Sequence, residues 1–319
     1  MTVTVQRGAS VHSTTTAHPA ATRVDLHQHL LPPEFLDALR SRTALPMLRD
    51  EWTLLTEGES AFSVNPTAHD VERRREQERC EGKGEVMVSL PGNLRVEDLP
   101  FDDSCALIDI WHRSALALGD PFRVWAATPM TRFDLDGLSA ILAHAHCVGL
   151  QLPASSMADA AAVAHLEPVL ARVEAAGKPA LVHPRHVVAA PNVGVATADT
   201  MPRAEQLKAA WTAWHEVGRA QHPTLRIAFI ALAGLAPLAQ AAAQSRGGKL
   251  PKFDPNVFYE TSAYDERAID AMARVVGLGP LVHGSDRPYR HPREHELGRA
   301  VNHALFSANP RVLLTGQPL

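Results

Sequence analysis

From residue 23 onward, short apolar runs alternate with longer segments that have helical spacing. Many of the short runs are apolar at every position, such as 180–182 and 227–232. A continuous apolar run of this length is typical of a strand buried on both faces, as in a parallel sheet. Eight such runs predict strands at 23–28, 85–90, 123–128, 148–152, 180–183, 226–232, 257–261 and 280–284.

Helical segments separate these strands. Helices are predicted at 160–176, 204–221 and 269–276, and a glycine follows the first and the last, as is common at helix ends. Eight strand–helix units in about 250 residues predict a (β/α)₈ TIM barrel, an α/β fold. An open doubly wound sheet is the alternative, but the sequence has no GxGxxG or GxxxxGK[ST] phosphate loop to favour it.

The chain divides into a tail and one predicted domain. Residues 1–22 are rich in Thr, Ala and Ser and lack the apolar stretch of a signal peptide, so they predict a flexible N-terminal tail. Residues 23–319 are expected to form a single barrel domain. Within it, the polar segment 40–79 is predicted to be an insertion after the first strand that forms a lid or a rim over the barrel mouth.

Composition narrows the class of partner. The 319 residues include 31 basic and 35 acidic side chains, a net charge of −4, which argues against nucleic-acid and anionic-membrane binders. No apolar run reaches the roughly 20 residues of a membrane span. The three cysteines form no CxxC pair, which favours a reducing, cytoplasmic setting. The expected partner is a small-molecule substrate, and a homodimer is possible because barrels often pair.

Histidine is the residue type that points to chemistry, since the sequence has 17 of them. His27 and His29 are separated by one residue at the end of the first predicted strand, so their side chains point to the same side. Two imidazoles on one rigid strand suit Zn²⁺, Mn²⁺ or Fe²⁺. A second pair, His144 and His146, lies in an Ala-rich stretch predicted to be helical and is interpreted as surface histidines.

Two further strand ends offer metal-ligating side chains. His183 ends the fifth strand immediately before Pro184, and Asp286 follows the eighth strand in a Gly-Ser-Asp-Arg-Pro segment. Taken alone, His183 is also compatible with a core histidine and Asp286 with a turn or helix-cap residue. Because the carboxyl ends of all barrel strands meet at one face, the site interpretation is the stronger one.

The motifs together resemble the amidohydrolase superfamily. Specifically, they resemble the amidohydrolase-related branch that includes aminocarboxymuconate semialdehyde decarboxylase, and the similarity runs from about residue 23 to 316. The motifs that carry it are Asp25-Leu26-His27-Gln28-His29, Leu31-Pro32-Pro33-Glu34-Phe35, Val182-His183-Pro184, Phe258-Tyr259-Glu260-Thr261-Ser262 and Gly284-Ser285-Asp286-Arg287-Pro288.

This resemblance implies a TIM barrel with one divalent metal ion, usually zinc, with manganese or iron as alternatives. Position by position, the metal ligands it implies are His27, His29, His183 and Asp286. Two-metal members of the superfamily need a carboxylated lysine at or near the fourth strand, and 149–152 contains none, which favours one ion.

The sequence departs from the family pattern at the sixth strand. Family members usually place a histidine there in a His-x-Gly-Gly turn, whereas the matching position here is Ala231. A methyl group can neither donate nor accept a proton. Another side chain must then supply that function, with His186, His283 and His215 as candidates, or the reaction differs from the common ones of the family.

A second departure concerns charge at the barrel mouth. Arg185 and His186 directly follow His183-Pro184, where the family usually has a small residue, and Arg287 follows Asp286. An arginine at the mouth favours an anionic substrate group through a charge-assisted bond, so these three residues are predicted to bind substrate. A surface arginine is the alternative. Glu260 is either a second acid–base group or a packed carboxylate.

Three functions remain open at this level. The leading prediction is hydrolysis of a C–N or related bond by metal-activated water, with Asp286 as the catalytic residue that takes and returns the proton. The second is non-oxidative decarboxylation of a small carboxylic acid, in which an acid protonates the carbon that loses CO₂. The third is a catalytically altered barrel that only binds a ligand, which the alanine at position 231 would favour.

Overall fold

Eight parallel strands form one curled sheet in the computed structural model, which describes residues 22–57, 60–185, 195–244, 254–290 and 297–317. Three short strands form a separate antiparallel sheet. In chain order the strands are β1 (Arg23–Gln28), β2 (Met47–Arg49), β3 (Thr53–Leu55), β4 (Phe62–Ser63), β5 (Lys83–Val88), β6 (Phe122–Ala126), β7 (Cys147–Pro153), β8 (Ala180–His183), β9 (Ile227–Phe229), β10 (Val257–Glu260) and β11 (Leu281–Val282).

The large sheet closes on itself. Its order is β1-β5-β6-β7-β8-β9-β10-β11, and hydrogen bonds bring the two end strands, β11 and β1, together. Leu26 N donates to His283 O at 2.9 Å and His29 N donates to Arg287 O at 2.6 Å, and Gln28 forms a parallel bridge with Arg287. These bonds join the last strand and its following turn to the first strand. The predicted (β/α)₈ barrel is therefore confirmed.

Helices connect successive barrel strands. Several begin at an aspartate whose carboxylate accepts a bond from a backbone N–H of the first turn: Asp70, Asp134, Asp159 and Asp265. The helices are α1 (Pro33–Ser41), α2 (Val71–Cys80), α3 (Phe101–Leu116), α4 (Leu135–Leu142), α5 (Ala160–His165), α6 (Glu167–Ala175), α7 (Val195–Ala213), α8 (Arg219–Gln221), α9 (Ala236–Gln244), α10 (Glu266–Val276), α11 (Arg299–His303) and α12 (Asn309–Thr315).

The apolar runs of the strands build the core on both sides of the sheet. Trp125 and Phe229 are fully buried, and Trp125 donates its indole N–H to Leu26 O across the barrel at 2.9 Å. Gly149 on β7 leaves room for this indole, because a Cβ there would lie 2.6 Å from Trp125 Cζ3 and would overlap the backbone oxygen of Pro179. Large aromatic side chains inside the barrel thus depend on a small residue beside them.

The segment 40–79 lies between the first and second barrel strands, and its role as a lid or a rim over the mouth stays a prediction. It contains β2, β3 and β4 and leads into α2. From α2, the buried Arg74 donates to His29 O at 3.3 Å and hydrogen-bonds Gln28 Oε1. This segment therefore supports the backbone of the strand that carries the histidine pair.

The predicted tail falls on residues 1–21, outside the described residues, and stays a prediction. Within the described ranges, no helix combines the length and the apolarity needed to cross a membrane.

Candidate metal centre

The two histidines of β1 meet inside the barrel mouth. Because they are two residues apart on a strand, their side chains project to the same face, and both are buried. Their Nε2 atoms lie 3.1 Å apart. His29 Nδ1 lies 3.0 Å from Ser89 O, so this nitrogen carries the proton and donates it, leaving the Nε2 lone pair directed into the site.

His183 brings a third imidazole from β8. Its ring centroid lies 4.9 Å from that of His27 and 5.2 Å from that of His29. His183 Nδ1 donates to Pro184 O at 2.6 Å, and its buried Nε2 has no hydrogen-bond partner among the described residues. The proline that ends the strand therefore also fixes the ring and turns Nε2 towards the other two histidines.

Asp286 completes the group from the turn after β11. Its backbone has φ of 54°, a left-handed conformation that is uncommon outside glycine, and its N–H donates to His27 O at 2.9 Å. Asp286 Oδ1 lies 3.3 Å from His29 Nε2 and 4.0 Å from His27 Nε2. Closure of the barrel between β11 and β1 thus places the carboxylate against the histidine pair.

The protonation states of the four side chains suit binding of a divalent cation. Burial lowers the pKa of His27 to about 4 and that of His183 well below its ordinary value, so both rings are neutral at pH 7. Burial alone would raise the pKa of Asp286, but the hydrogen bond with His29 and the nearby imidazoles outweigh it and hold that pKa well below its usual range. The centre therefore offers neutral nitrogens and one anionic oxygen.

These four side chains fit one divalent ion. One ligand atom from each of His27, His29, His183 and Asp286 lies within 4.8 Å of the others. Two imidazole nitrogens at 3.1 Å with both lone pairs directed inward repel each other unless a cation lies between them, and His183 Nε2 has no other partner in the part of the chain that the structure describes. Three imidazoles and a carboxylate suit Zn²⁺, Mn²⁺ or Fe²⁺.

A cavity of about 450 Å³ opens above this centre. Its lining is mostly apolar, and Asp286 is the one carboxylate among the described residues that line it. Two guanidinium groups, those of Arg203 and Arg290, face the same cavity, and Arg290 Nε lies 3.2 Å from Asp286 Oδ2. The ring of Tyr289 lies 5.2 Å from that of His29. The volume suits a small organic molecule.

Solved structures with this fold include several named decarboxylases. IDCase from Metarhizium anisopliae is 17% identical over 92% of this chain and 97% of its own, with a TM-score of 0.75. The 5-carboxyvanillate decarboxylase from Sphingomonas paucimobilis is 15% identical over 92% of this chain and 99% of its own, with a TM-score of 0.67. The 2,6-dihydroxybenzoate decarboxylase from Rhizobium is 17% identical over 92% of this chain and 98% of its own, with a TM-score of 0.64. The chain has the amidohydrolase-type barrel fold.

Two other amidohydrolase-type structures widen this comparison. A 4-oxalomesaconate hydratase from Rhodopseudomonas palustris matches with a TM-score of 0.64, and a 5-carboxyvanillate decarboxylase from Novosphingobium aromaticivorans, which was crystallised with manganese, matches equally well. No protein-family model matches the sequence, and none of the curated proteins is significantly similar to it. The resemblance drawn from the motifs is confirmed at the level of the fold.

The sixth strand of this amidohydrolase-type barrel, β9, ends before Ala231. From Ala231 to Leu235 the backbone takes left-handed φ values between 48° and 64°. Ala231 lines the cavity, so the position matched to the family histidine faces the site with a methyl group. Of the proposed replacements, His215 packs against Trp211 and His283 against Phe306, and neither lines the cavity.

Glu260, at the end of β10, contacts the backbone of Ala231, the position matched to the family histidine. Its carboxyl is fully buried, accepts a bond from Ala231 N at 3.2 Å and has Oε2 3.9 Å from His27 Nδ1. Burial raises the pKa of Glu260 to about 8, against the hydrogen bond from Ser262. The sequence offered this residue only as an alternative, because a strand ending in a glutamate does not show which neighbours it meets.

The arginines predicted to bind substrate lie elsewhere. Arg185 hydrogen-bonds Asp98 and lies 3.9 Å from Glu97, and Arg287 pairs with Glu78 at 2.5 Å and with Glu81 at 2.8 Å. Neither is among the described residues that line the cavity. Both are buried ion-pair partners that anchor the loops following His183 and Asp286. His186 lies outside the described residues.

Four residues that line the cavity were not predicted as site residues from the sequence. They are Arg203, Arg290, Ser262 and Tyr289. Arg290 carries a detectable signal, since it lies four residues after Asp286 in the same turn. Arg203 carries none, because its place at the mouth depends on how α7 packs. Gly234 allows that packing, since a Cβ there would lie 2.5 Å from Ala204 O.

Proposed function

We propose that the protein is a metal-dependent, non-oxidative decarboxylase of a small carboxylic acid, a carboxy-lyase of the amidohydrolase superfamily. The observation that carries the proposal is the convergence of three imidazole nitrogens and one carboxylate oxygen at the floor of a cavity sized for a small molecule. Enzymes named as decarboxylases of aromatic acids share the fold. Hydrolysis, the reaction predicted first, has less support, because one fold neighbour is named as an amidohydrolase whereas several are named as decarboxylases and one as a hydratase.

The proposed metal ligands are His27, His29, His183 and Asp286. A divalent ion held there supplies Lewis acidity, which orients the substrate and stabilises negative charge as it develops during loss of CO₂. Zinc was expected from the resemblance, whereas a neighbour with this fold binds manganese, so manganese is the first ion to test. The donor set accommodates either.

The substrate's anionic group is proposed to bind Arg203 and Arg290. No described carboxylate pairs with Arg203, and Arg290 lies beside Asp286, so both guanidinium groups face the cavity with donors to offer. The apolar lining formed by Leu207, Ile230 and Ala231 suits the hydrocarbon body of an aromatic or unsaturated acid. The substrate would then lie with its reacting carbon above the metal centre.

Asp286 is proposed to move the proton. Decarboxylation breaks the bond between a carbon and its carboxylate and forms a C–H bond at the same carbon, so a proton must reach that carbon. Because Asp286 is an anion at rest, its carboxylate would first take this proton from water and then pass it to the carbon as CO₂ leaves. Asp286 is the carboxyl group that faces the cavity, and Oδ2 points towards Arg290 rather than towards the histidines. The carboxyl can therefore contact substrate with one oxygen while the other stays at the metal centre.

The first prediction tests the reaction type. Manganese-loaded protein incubated in D₂O with 2,6-dihydroxybenzoate, 5-carboxyvanillate and related acids is expected to release CO₂ and to place one deuterium on the carbon that lost it. Asp286→Asn should lower turnover by about 10²–10⁴-fold, because an amide cannot take a proton from water and pass it to the carbon. The measurements are CO₂ release and the deuterium content of the product.

His144→Ala, a change to the other His-x-His pair on the surface, is the control and should leave turnover unchanged. Cleavage of amides without CO₂ release would favour hydrolysis instead. Metal binding without turnover of any acid or amide would favour the ligand-binding barrel. Normal rates in Asp286→Asn would remove this residue from the mechanism.

A further inference from the structure

Glu260 is a buried carboxyl group for which the proposed reaction has no use. It ends β10, the strand that precedes the one leading to Asp286, and it is not among the described residues that line the cavity. Its Oε2 atom lies 3.9 Å from His27 Nδ1. Both side chains are fully buried. A carboxyl group removed from water is costly unless its neighbours make use of it, so its surroundings need an explanation.

Three hydrogen-bond donors fix where the carboxyl points. Ser262 N donates to Oε1 at 2.6 Å, and Oε2 accepts from Ser262 Oγ at 2.9 Å and from Ala231 N at 3.2 Å. Gly284 provides the space, because a Cβ there would overlap Oε1. The carboxyl therefore links the turns after β9 and β10 and is held with Oε2 on the side of His27.

His27 differs from the other two histidines in one respect. His29 Nδ1 donates to Ser89 O and His183 Nδ1 donates to Pro184 O, but His27 Nδ1 is buried and has no hydrogen-bond partner among the described residues. For Nε2 to offer its lone pair to a cation, Nδ1 must carry the proton. Glu260 Oε2 is the acceptor that faces this nitrogen.

We propose that Glu260 is a positioning residue whose Oε2 accepts a hydrogen bond from the protonated Nδ1 of His27, and so fixes the tautomer and the ring orientation that present Nε2 to a divalent cation. The proposal rests on the metal centre put forward under the proposed function. Such an outer carboxylate typically contributes 10–100-fold to metal affinity. Through Ala231 N, the same carboxyl also holds the turn in which the family histidine is replaced by alanine.

The test is a metal titration without substrate. Binding of Mn²⁺ and Co²⁺ to the full chain is measured by competition with a chelator, together with the visible absorption spectrum of the Co²⁺ form. Glu260→Gln is expected to weaken binding by about 10–100-fold and to shift the Co²⁺ bands, because the amide presents an N–H where an acceptor is needed. Thermal unfolding of the metal-free variant is recorded in parallel.

Glu97→Gln is the matched control. Glu97 is also a buried carboxyl, burial raises its pKa as well, and it faces Arg185 rather than a metal ligand. It should lower thermal stability without changing metal affinity. Ser262→Ala, which removes one donor to Oε2 and leaves the carboxyl facing His27, should bind metal within about threefold of wild type.

A Glu260→Gln protein with normal metal affinity, a normal Co²⁺ spectrum and lower thermal stability would overturn the proposal and leave Glu260 as a loop anchor. Should that variant not fold, Gly284→Ala is the second test, since its methyl group displaces the same carboxyl and should weaken metal binding similarly. Because no substrate is used, a protein that binds metal but releases no CO₂ refutes the proposed reaction and not this inference.

Discussion

At the scale of single residues, chain position predicted which side chains meet at the barrel mouth better than it predicted which arginines line the cavity. His27, His29, His183 and Asp286 stand at the ends of apolar strands, and a barrel brings all such ends to one face. Arg185 has the same sequence position but lies in an ion pair with Asp98. That partner is 87 residues away along the chain, so no local pattern could reveal it.

Asp25, the acidic residue just before the histidine pair, has a structural role. It is fully buried, and its carboxylate accepts bonds from Gln28, Lys83 and Ser285 N. Burial would raise its pKa, but Lys83 and the other partners outweigh this and hold that pKa far below its ordinary value. Asp25 therefore ties the first strand to the turn that carries Asp286, and it supports the metal centre without facing the cavity.

His112 gives a pH prediction at this scale. Its Nε2 accepts a bond from Ala127 N at 3.1 Å, and burial lowers its pKa from 6.5 to about 4. The unfolded chain therefore binds a proton more readily than the folded one. The free energy of unfolding is therefore unaffected by the protonation of His112 above pH 6.5, and it falls as the pH drops from 6.5 towards 4, by at most about 3 kcal/mol.

Urea unfolding of wild type and His112→Gln at pH 7, 5.5 and 4.5 measures this difference. Glutamine keeps an acceptor oxygen and does not titrate, so the variant should lose less stability on acidification than wild type. The other histidines are common to both proteins and cancel in the comparison. Identical pH dependence in the two proteins would mean that His112 does not contribute.

At the scale of elements, the sequence predicted the strands well where burial is two-sided. The run 180–183 was assigned with its observed ends, whereas 226–232 was predicted too long, because β9 ends at Phe229. Leu232 and Ala233 continue the apolar pattern but are buried in a left-handed turn. Hydrophobicity reports burial, and here burial continues after the strand conformation has ended.

Gly149 on β7 gives a prediction for strand packing. A methyl group at this position would overlap the oxygen of Pro179 and approach Trp125 Cζ3 to 2.6 Å. The obstacle is partly backbone and cannot rotate away, so Gly149→Ala should cost about 3 kcal/mol, at the upper end for overpacking. Chemical denaturation measures the change in free energy of unfolding.

Gly279→Ala is the control for that experiment, since nothing lies within 4 Å of a Cβ at Gly279. It should change stability by less than about 1 kcal/mol. Equal effects of the two substitutions would show that the packing of β7 against Trp125 and Pro179 does not govern the response.

At the scale of the whole molecule, the proposed metal centre lies where the barrel closes. Its proposed ligands come from β1, β8 and the turn after β11, so a bound cation would join the two ends of the sheet and its far side. A ligand that binds only the folded chain stabilises it in proportion to the logarithm of its concentration. Metal binding should therefore be visible in global unfolding and not only in activity.

The last prediction follows from this linkage. Manganese at 100 times its dissociation constant should stabilise the wild-type protein by about 2.7 kcal/mol and raise its melting temperature, and a chelator should reverse the effect. His183→Ala removes the ligand that reaches across from β8 and should abolish the rise, whereas His144→Ala on the surface should retain it. A rise of equal size in both variants would show that the ion binds elsewhere, because closure of the barrel by hydrogen bonds between β1 and the turn after β11 does not itself depend on His183.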